Sequence, residues 1–344
     1  MPSPNSSSNK KLLNEYKNFT YPSKPENWIP KISCFSMDTE KKPTEYVPID
    51  LDANLMKKIT NYYLFLRDNF GLDGVDHQGL IFPLYILRDK KKAALDRGSQ
   101  AILIHKNFLK TGIISHESSH GIVNAFSVIG KINRESYPEV WFAHARALDE
   151  SIADILSISY RHWLKKDQNT PIKWRVFAVT EDQDPDLSVE ERNKKSRDFS
   201  IPKTLDKDFR ELTTRQKQLL EKQIKNLETD FENAETYEVR KKILKKLKNF
   251  KELQQVSFEH DNSLIPSHAF YAVCFRFLQC PSYQLAKIWL DAAKNLPANQ
   301  SHFIGFAKQT IIEAAKFDWM DKQGQLQDVE KAVRNGWARV GIGV

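Results

Sequence analysis

The chain lacks three features that would place it in particular protein classes. None of its apolar runs is long enough to span a bilayer. Residues 1–10 are polar and rich in Ser and Asn, which is unlike a secretory signal. The three cysteines, Cys34, Cys274 and Cys280, are an odd number and form no disulfide framework. We therefore expect a cytoplasmic protein, or one exported without a cleaved signal peptide.

Composition and patterning indicate a globular protein with two lobes. At 344 residues, with 40% apolar and 28% charged residues, the chain is long enough for a sizeable core. Residues 1–45 are rich in Ser, Asn, Lys and Pro and are predicted to form a flexible N-terminal arm. A helix followed by short strands, at 80–87 and 101–104, is predicted before residue 110, and helices thereafter.

Residues 116–120 read His-Glu-Ser-Ser-His and are the most informative segment. Side chains four apart lie on one face of a helix, so His116 and His120 can hold one metal ion. Glu117 is then placed to act on a metal-bound water. The alternative is an amphipathic helix whose histidines are ordinary core or surface residues. Apolar neighbours on both sides favour a buried helix, where polar side chains facing one point suit a metal site.

A third protein ligand is required for zinc. The best candidates lie in residues 147–156, where apolar residues at 148, 152, 155 and 156 predict a helix with one buried stripe. Glu150 and Asp154, four residues apart, share a different face. In isolation these two carboxylates would be taken for a solvated helix face.

Two later motifs complete a pattern. Residues 260–271 read His-Asp-Asn-Ser-Leu-Ile-Pro-Ser-His-Ala-Phe-Tyr, and residues 197–202 read Arg-Asp-Phe-Ser-Ile-Pro. With the two helical segments, they make the chain resemble the thermolysin-like zinc endopeptidases over about residues 54–344.

The resemblance implies a role for each matching residue. His116, His120 and Glu150 would bind one catalytic zinc ion, and Asp154 would orient His116 from behind. Glu117 would be the general base. His260 would donate a hydrogen bond to the oxyanion of the tetrahedral intermediate. Substrate would be held by two further residues, Arg197 at the carbonyl beside the scissile bond and Ala94 near the start of the edge strand.

The implied fold is α+β, a thermolysin-like two-lobe metallopeptidase. The small mixed α/β N-terminal lobe would cover residues 46–122 and would include the zinc-binding helix. In this lobe, residues 98–104 would be the edge strand that pairs with substrate. The larger, mainly α-helical C-terminal lobe would cover residues 123–344.

Several positions depart from the family pattern. Asp149 stands in place of Asn, and Ala93 in place of a substrate-holding Asn. Trp141 aligns with the transition-state tyrosine, while Tyr137 is out of register. The acidic partner of the oxyanion histidine falls at Gln255, which leaves Glu259 or Asp261 to serve. These changes indicate a specialised or a weak peptidase. Separately, Gly112 replaces a calcium-binding Asp of exported members, which argues against a calcium requirement.

Residues 203–256 form an insertion absent from the family pattern. Apolar residues recur in two runs at three- and four-residue steps, which predicts an antiparallel helical hairpin. The second run is rich in Lys and contributes to the net charge of +8. A solvated face is the favoured interpretation. The alternative is a docking arm for an acidic partner such as a protein, for a membrane surface or for nucleic acid, although no nucleic-acid motif accompanies it.

The sequence thus predicts a zinc-dependent endopeptidase acting on peptide or protein substrates. One alternative is a pseudoenzyme that keeps zinc structurally and binds partners through the basic hairpin. Another is a zinc aminopeptidase, although the chain has no Gly-x-Met-Glu-Asn segment to capture a free amine.

Overall fold

The computed structural model describes most of the chain. The described residues are 34–37, 47–48, 53–74, 84–87, 93–96, 101–105, 108–132, 139–165, 174–176, 197–204, 222, 225–233, 236, 238–243, 246, 259–277, 280–321 and 323–344.

A five-stranded mixed sheet forms the β part of the fold. Its strands are β1 (Cys34–Met37), β2 (Val47–Pro48), β3 (Leu84–Leu87), β4 (Ala93–Asp96) and β5 (Ala101–His105), in the order β2-β1-β3-β5-β4. Strands β1, β3 and β5 are parallel, whereas β4 runs antiparallel to β5. The apolar sequences of β3 and β5 suit strands covered by helices.

The sheet corrects two predictions. Residues 98–104 are not the edge strand, because β5 pairs with both β3 and β4, and β4 is the edge among the described residues. Within the described sheet β4 pairs antiparallel with β5 and with no other strand, so it lies outermost. The N-terminal arm predicted for residues 1–45 was also too long, because β1 (Cys34–Met37) lies within it and pairs with β3. Residues 1–33 lie outside the described part of the chain.

Helix α1 (Ala53–Phe70) packs through an aromatic cluster. The rings of Tyr62 and Phe65 meet Tyr160 at centroid distances of 5.1 and 5.4 Å. Tyr62 also hydrogen-bonds Ser119. This contact ties α1 to the helix that carries the His-Glu-Ser-Ser-His motif.

Helices α2 (Thr111–Phe126) and α3 (Glu139–Lys165) form the centre of the molecule. They pack directly against each other, and α2 also packs against β4. Helix α2 ends close to a tight turn at Gly130, where a Cβ atom would lie 2.4 Å from the Asn124 Cα. Because α2 continues to Phe126, the lobe boundary predicted at 122/123 falls inside a helix.

The C-terminal part is helical, as predicted. It contains α4 (Glu259–Asn262), α5 (Leu264–Arg276), α6 (Ser282–Asn295), α7 (Phe303–Ala314) and α8 (Val329–Arg339). Small two-stranded ribbons pair β6 (Arg175–Val176) with β7 (Arg197–Asp198), and β8 (Trp319–Met320) with β9 (Leu326–Gln327). Side chains of His302 and Asp328 cap α7 and α8 by accepting hydrogen bonds from Gly305 N and Lys331 N.

The described parts of the insertion are helical on both sides of a turn. Residues 225–232 and 238–243 are helical, and Asn233 and Thr236 lie in the connection. The Thr236 hydroxyl accepts a hydrogen bond from Val239 N at 3.4 Å. This agrees with a helical hairpin.

Two further outcomes concern the features that the chain lacks. Cys274 and Cys280 are free and buried, as their apolar neighbours predict. No helix in the described ranges combines the length and apolarity needed to cross a membrane.

Candidate metal centre

Helix α2 places its two histidines and Glu117 inside the protein. Ten consecutive residues, from Ile114 to Val123, are buried, so the helix runs through the interior of the protein rather than along the protein surface. His116, Glu117 and His120 are each 5% exposed or less. Buried polar groups require partners, and α3 supplies them.

Three ligand atoms converge between α2 and α3. The Nε2 atoms of His116 and His120 lie 3.0 Å apart. Carboxylate oxygens of Glu150 lie 3.4 Å from His116 Nε2 and 3.3 Å from His120 Nε2. Tetrahedral zinc, with bonds of about 2.0–2.1 Å, separates its ligand atoms by about 3.3 Å. The spacing and the donor types therefore fit one zinc ion.

Behind each imidazole stands a second carboxylate from α3. Asp154 Oδ1 lies 2.8 Å from His116 Nδ1, and Asp149 Oδ1 lies 3.1 Å from His120 Nδ1. A carboxylate at Nδ1 fixes the ring orientation and leaves the Nε2 lone pair for a metal. Asp154, the predicted neighbour of His116, thus lies at its Nδ1. Asp149, noted only as a departure, proves to stand behind His120.

Arg197 reaches the centre from β7. Its guanidinium donates to Glu150 Oε2 at 3.0 Å and to Asp154 Oδ1 at 2.6 Å, and the residue is 6% exposed. Arg197 therefore holds a candidate ligand and the carboxylate behind His116 at the same time. Sequence reasoning assigned it to substrate alone and missed these two contacts.

The segment around Arg197 is anchored to α5. His268 is buried, and its Nδ1 lies 2.7 Å from the Phe199 carbonyl oxygen, to which it can donate. Phe199 N in turn donates to the Trp174 carbonyl. The second histidine of the 260–271 motif thus positions the chain that carries Arg197, a role that only the assembled fold reveals.

His260 lies at the rim of the centre. Its Nε2 is 3.4 Å from Glu150 Oε2, whereas 61% of its side chain is exposed. The neighbouring Glu259 accepts a hydrogen bond at Oε2 from Arg146 Nε at 2.8 Å. The same guanidinium donates to Asp149 Oδ2 at 3.0 Å. Of the two predicted alternatives to Gln255, Glu259 is therefore engaged with Arg146, and Gln255 lies outside the described residues.

Charge balance also favours a cation at this point. Five carboxylates, those of Glu117, Asp149, Glu150, Asp154 and Glu259, meet two guanidinium groups, those of Arg146 and Arg197. With neutral histidines the cluster carries three excess negative charges. Uncompensated buried charge is costly, and a divalent cation neutralises most of this excess.

The pKa values follow from burial and from these pairs. Burial opposes ionisation of Glu150, but the adjacent His120 and His116 outweigh it and hold the pKa of Glu150 well below its usual value. Burial likewise opposes protonation of His120, yet Asp149 and Glu150 raise its pKa well above 6.5. For Glu117 burial dominates and raises the pKa, which makes this carboxylate a stronger base.

The remaining predicted positions lie on β4, on α3 or outside the described residues. Ala94 lies in β4, opposite Leu103 of β5, on the strand that packs beside α2. Trp141 belongs to α3, and Tyr137 lies outside the described residues. Ala93 begins β4 and offers no polar group to a substrate.

Comparison with known proteins agrees with this geometry. The family described as "Thermolysin metallopeptidase, alpha-helical domain" matches residues 140–342. Since this is more than half of the chain, the chain belongs to the thermolysin metallopeptidase family and is a metallopeptidase. The resemblance found in the sequence is thereby confirmed. No curated protein matches the chain.

A solved structure supports the same fold. It is the precursor of protealysin, a metalloproteinase from Serratia proteamaculans, with a TM-score of 0.55 and 18% sequence identity. The match covers 97% of this chain and 94% of that chain. At this identity the likeness establishes the fold, which confirms the predicted α+β two-lobe architecture.

Proposed function

We propose that the protein is a zinc-dependent endopeptidase. The observation that carries the proposal is the convergence of His116 Nε2, His120 Nε2 and a Glu150 carboxylate oxygen, 3.0–3.4 Å apart and buried, beside Glu117. Family membership supplies the reaction class, hydrolysis of peptide bonds.

His116, His120 and Glu150 would hold the zinc ion. When bound there, zinc would supply Lewis-acid polarisation of the scissile carbonyl and of the attacking water. Asp154 and Asp149 keep the two imidazoles oriented, and Arg197 fixes Glu150 and Asp154 relative to each other.

Glu117 is the proposed general base. It takes a proton from the water as the oxygen attacks the scissile carbon, and it gives that proton to the leaving amine when the C–N bond breaks. One water is consumed and one carboxylate and one amine are formed. The raised pKa of this buried carboxylate suits both transfers.

His260 and Arg197 would act on the substrate. His260 Nε2, at the exposed rim 3.4 Å from Glu150, is placed to donate a hydrogen bond to the oxyanion that develops on the scissile carbonyl. Arg197 is proposed to hold the neighbouring carbonyl on the primed side, in addition to its contacts with Glu150 and Asp154.

Strand β4 provides a site for the peptide backbone. It lies at the sheet edge among the described residues and packs beside α2. An extended substrate can add to such an edge through main-chain hydrogen bonds, which read no side chain. Ala94 lies on this strand, so the substrate-binding role that the family resemblance implies for it is proposed to be backbone pairing.

The test compares the wild type with Glu117→Gln in a diverse peptide mixture. Both proteins are loaded with zinc, and cleavage sites are mapped by mass spectrometry. Glu232→Gln, an exposed position in the insertion, is the matched control. We expect internal cuts by the wild type and the control, and a loss of about 10²–10⁴-fold in rate for Glu117→Gln.

Other outcomes discriminate among the alternatives. Trimming from amino termini alone would favour an aminopeptidase. Absence of cuts by zinc-loaded wild type would favour a zinc-retaining binding protein. Equal cutting by Glu117→Gln and the wild type would refute the role assigned to Glu117.

A further inference from the structure

Arg146 links two elements of the centre, α3 and α4, which also meet at His260 and Glu150. Through NH1 it donates to Asp149 Oδ2 at 3.0 Å, in the residue that precedes the candidate ligand Glu150. Through Nε it donates to Glu259 Oε2 at 2.8 Å, in the residue that precedes His260. The two partners are separated by 110 positions in the chain, and the contact between Arg146 and Glu259 is a tertiary one.

Helix α4 needs such a tether. It has four residues, a single turn, and isolated turns of helix are unstable without tertiary contacts. Within the described part of the chain it is held at its other end by hydrogen bonds from Ser263, from N to the Glu259 carbonyl and from Oγ to the His260 carbonyl. These contacts are internal to the turn and do not locate it relative to α3.

The geometry of an arginine suits this task. Its planar guanidinium presents donors in a fixed arrangement, so it holds two carboxylates at a set distance and angle. Arg146 and Glu259 are only 16% and 17% exposed, which limits screening by solvent. Asp149 is fully buried and close to His120, so the α3 end of the bridge is rigid.

We infer that Arg146 is a positioning residue that holds His260 over the metal ligands. By tying Glu259 to Asp149, it fixes the turn whose next residue places Nε2 3.4 Å from Glu150 Oε2. Carboxylate oxygens of Glu259 and Glu150 and a ring nitrogen of His260 lie within 4.8 Å of one another, so a small shift of Glu259 moves His260 directly. The inference rests on the proposed function, in which His260 donates to the oxyanion.

Kinetics of Arg146→Met in two backgrounds provide the test. In the wild-type background we expect kcat to fall about tenfold or more, with KM within about twofold, because misplaced oxyanion donors act on the transition state. In the His260→Ala background the same substitution should change kcat by less than about twofold, since the group that it positions is gone. Arg146→Lys, which keeps the charge but lacks the planar fork, should lose most of the same activity. Arg276→Met, at an exposed arginine of α5, is the control.

A second readout needs no activity. Hydrogen–deuterium exchange of the segment 259–263 should speed up in Arg146→Met and Glu259→Gln and stay unchanged in Arg276→Met. Bound zinc, counted by mass spectrometry of the folded protein, should stay at one per chain in all variants.

The outcomes separate the inference from the proposed function. An equal loss of kcat from Arg146→Met in both backgrounds, or no loss in the wild type, would overturn the inference alone. Full kcat in His260→Ala itself would overturn the oxyanion role of His260 and the inference with it. If Arg146→Met does not fold, Glu259→Gln breaks the other end of the bridge and is judged by the same criteria.

Discussion

The metal centre and the inserted hairpin are both pairs of helices rich in charged residues, yet they differ in how deeply those charges are buried and in how they are paired. In the centre, α3 buries the carboxylates of Asp149, Glu150 and Asp154 almost completely and pairs each one with His or Arg. In the insertion, the charged side chains described between residues 222 and 246 are exposed. Even its apolar residues are only half-buried, and Val239 is 46% exposed.

The comparison shows what burial does to a charge. An exposed Lys or Glu is solvated whatever its neighbours, so its exact position matters little. A buried carboxylate must have a partner, so its position is fixed by the partner. In the insertion, the Arg240 guanidinium lies 6.0 Å from the Phe231 ring centroid, which is a surface contact of modest strength.

The largest difference is expected from removing one carboxylate in each region. Asp154→Ala takes a partner from both His116 and Arg197, and Asp230→Ala removes an exposed charge of the insertion. We expect Asp154→Ala to cost about 3–5 kcal/mol in the free energy of unfolding and about 10–100-fold in zinc affinity. Asp230→Ala should change neither appreciably.

Urea denaturation and competition with a chromogenic chelator measure the two quantities. Equal stability of the two variants would break the contrast between the regions, because it would mean that Asp154 is not a required partner.

Acid should weaken the buried region through His144 of α3. Burial, with a smaller contribution from His302, lowers the pKa of His144 to about 4, and its Nδ1 accepts a hydrogen bond from Phe303 N. The unfolded chain therefore binds more protons between pH 4 and 6.5. Stability from this group is present above pH 6.5 and is lost as the pH falls toward 4, by about 2–3 kcal/mol.

Urea denaturation from pH 4 to 7 checks this, with His144→Asn as the variant that keeps an acceptor and loses the titration. The variant should show a shallower pH dependence than the wild type. Identical slopes would show that His144 does not contribute.

Tight packing around the centre should make even a methyl group costly. A Cβ at Gly336 of α8 would lie 2.8 Å from the Ala269 carbonyl oxygen and 2.9 Å from Val273 Cγ2 in α5. We expect Gly336→Ala to lower the free energy of unfolding by about 1–3 kcal/mol. Gly343→Ala, where nothing lies within 4 Å, is the control and should be neutral. Thermal unfolding of both variants tests the expectation, and a neutral Gly336→Ala would mean that α5 and α8 separate easily.

The smallest effect is expected in the insertion itself. Lys241, Lys242 and Lys246 are exposed, so replacing all three with Gln should change the free energy of unfolding by less than about 0.5 kcal/mol per site. The value of kcat/KM on a small neutral peptide should also stay constant. A drop in kcat/KM would show that the hairpin contributes to substrate binding and would remove the contrast with the centre.

Much of the site was predictable because its information is local. Helical periodicity alone places His116 and His120 on one face, and it places Glu150 and Asp154 together on a face of α3. The edge strand was assigned wrongly because strand order depends on pairing across the sheet, and a strand's own sequence does not state its neighbours. The N-terminal arm was predicted to include the residues of β1 for the same reason.

What the sequence by itself determined is the set of chemical groups and the family to which they belong, since motif spacing on helices survives without knowledge of the fold. The tertiary structure alone decided the partners: Asp149 behind His120, Arg197 on Glu150 and Asp154, and Arg146 between Asp149 and Glu259. The physical reason is that all of these contacts except Arg146–Asp149, which lies within α3, join different elements. Their distance is therefore set by how the elements pack rather than by any local pattern. For a buried charge that distance is also what makes the group tolerable inside the protein.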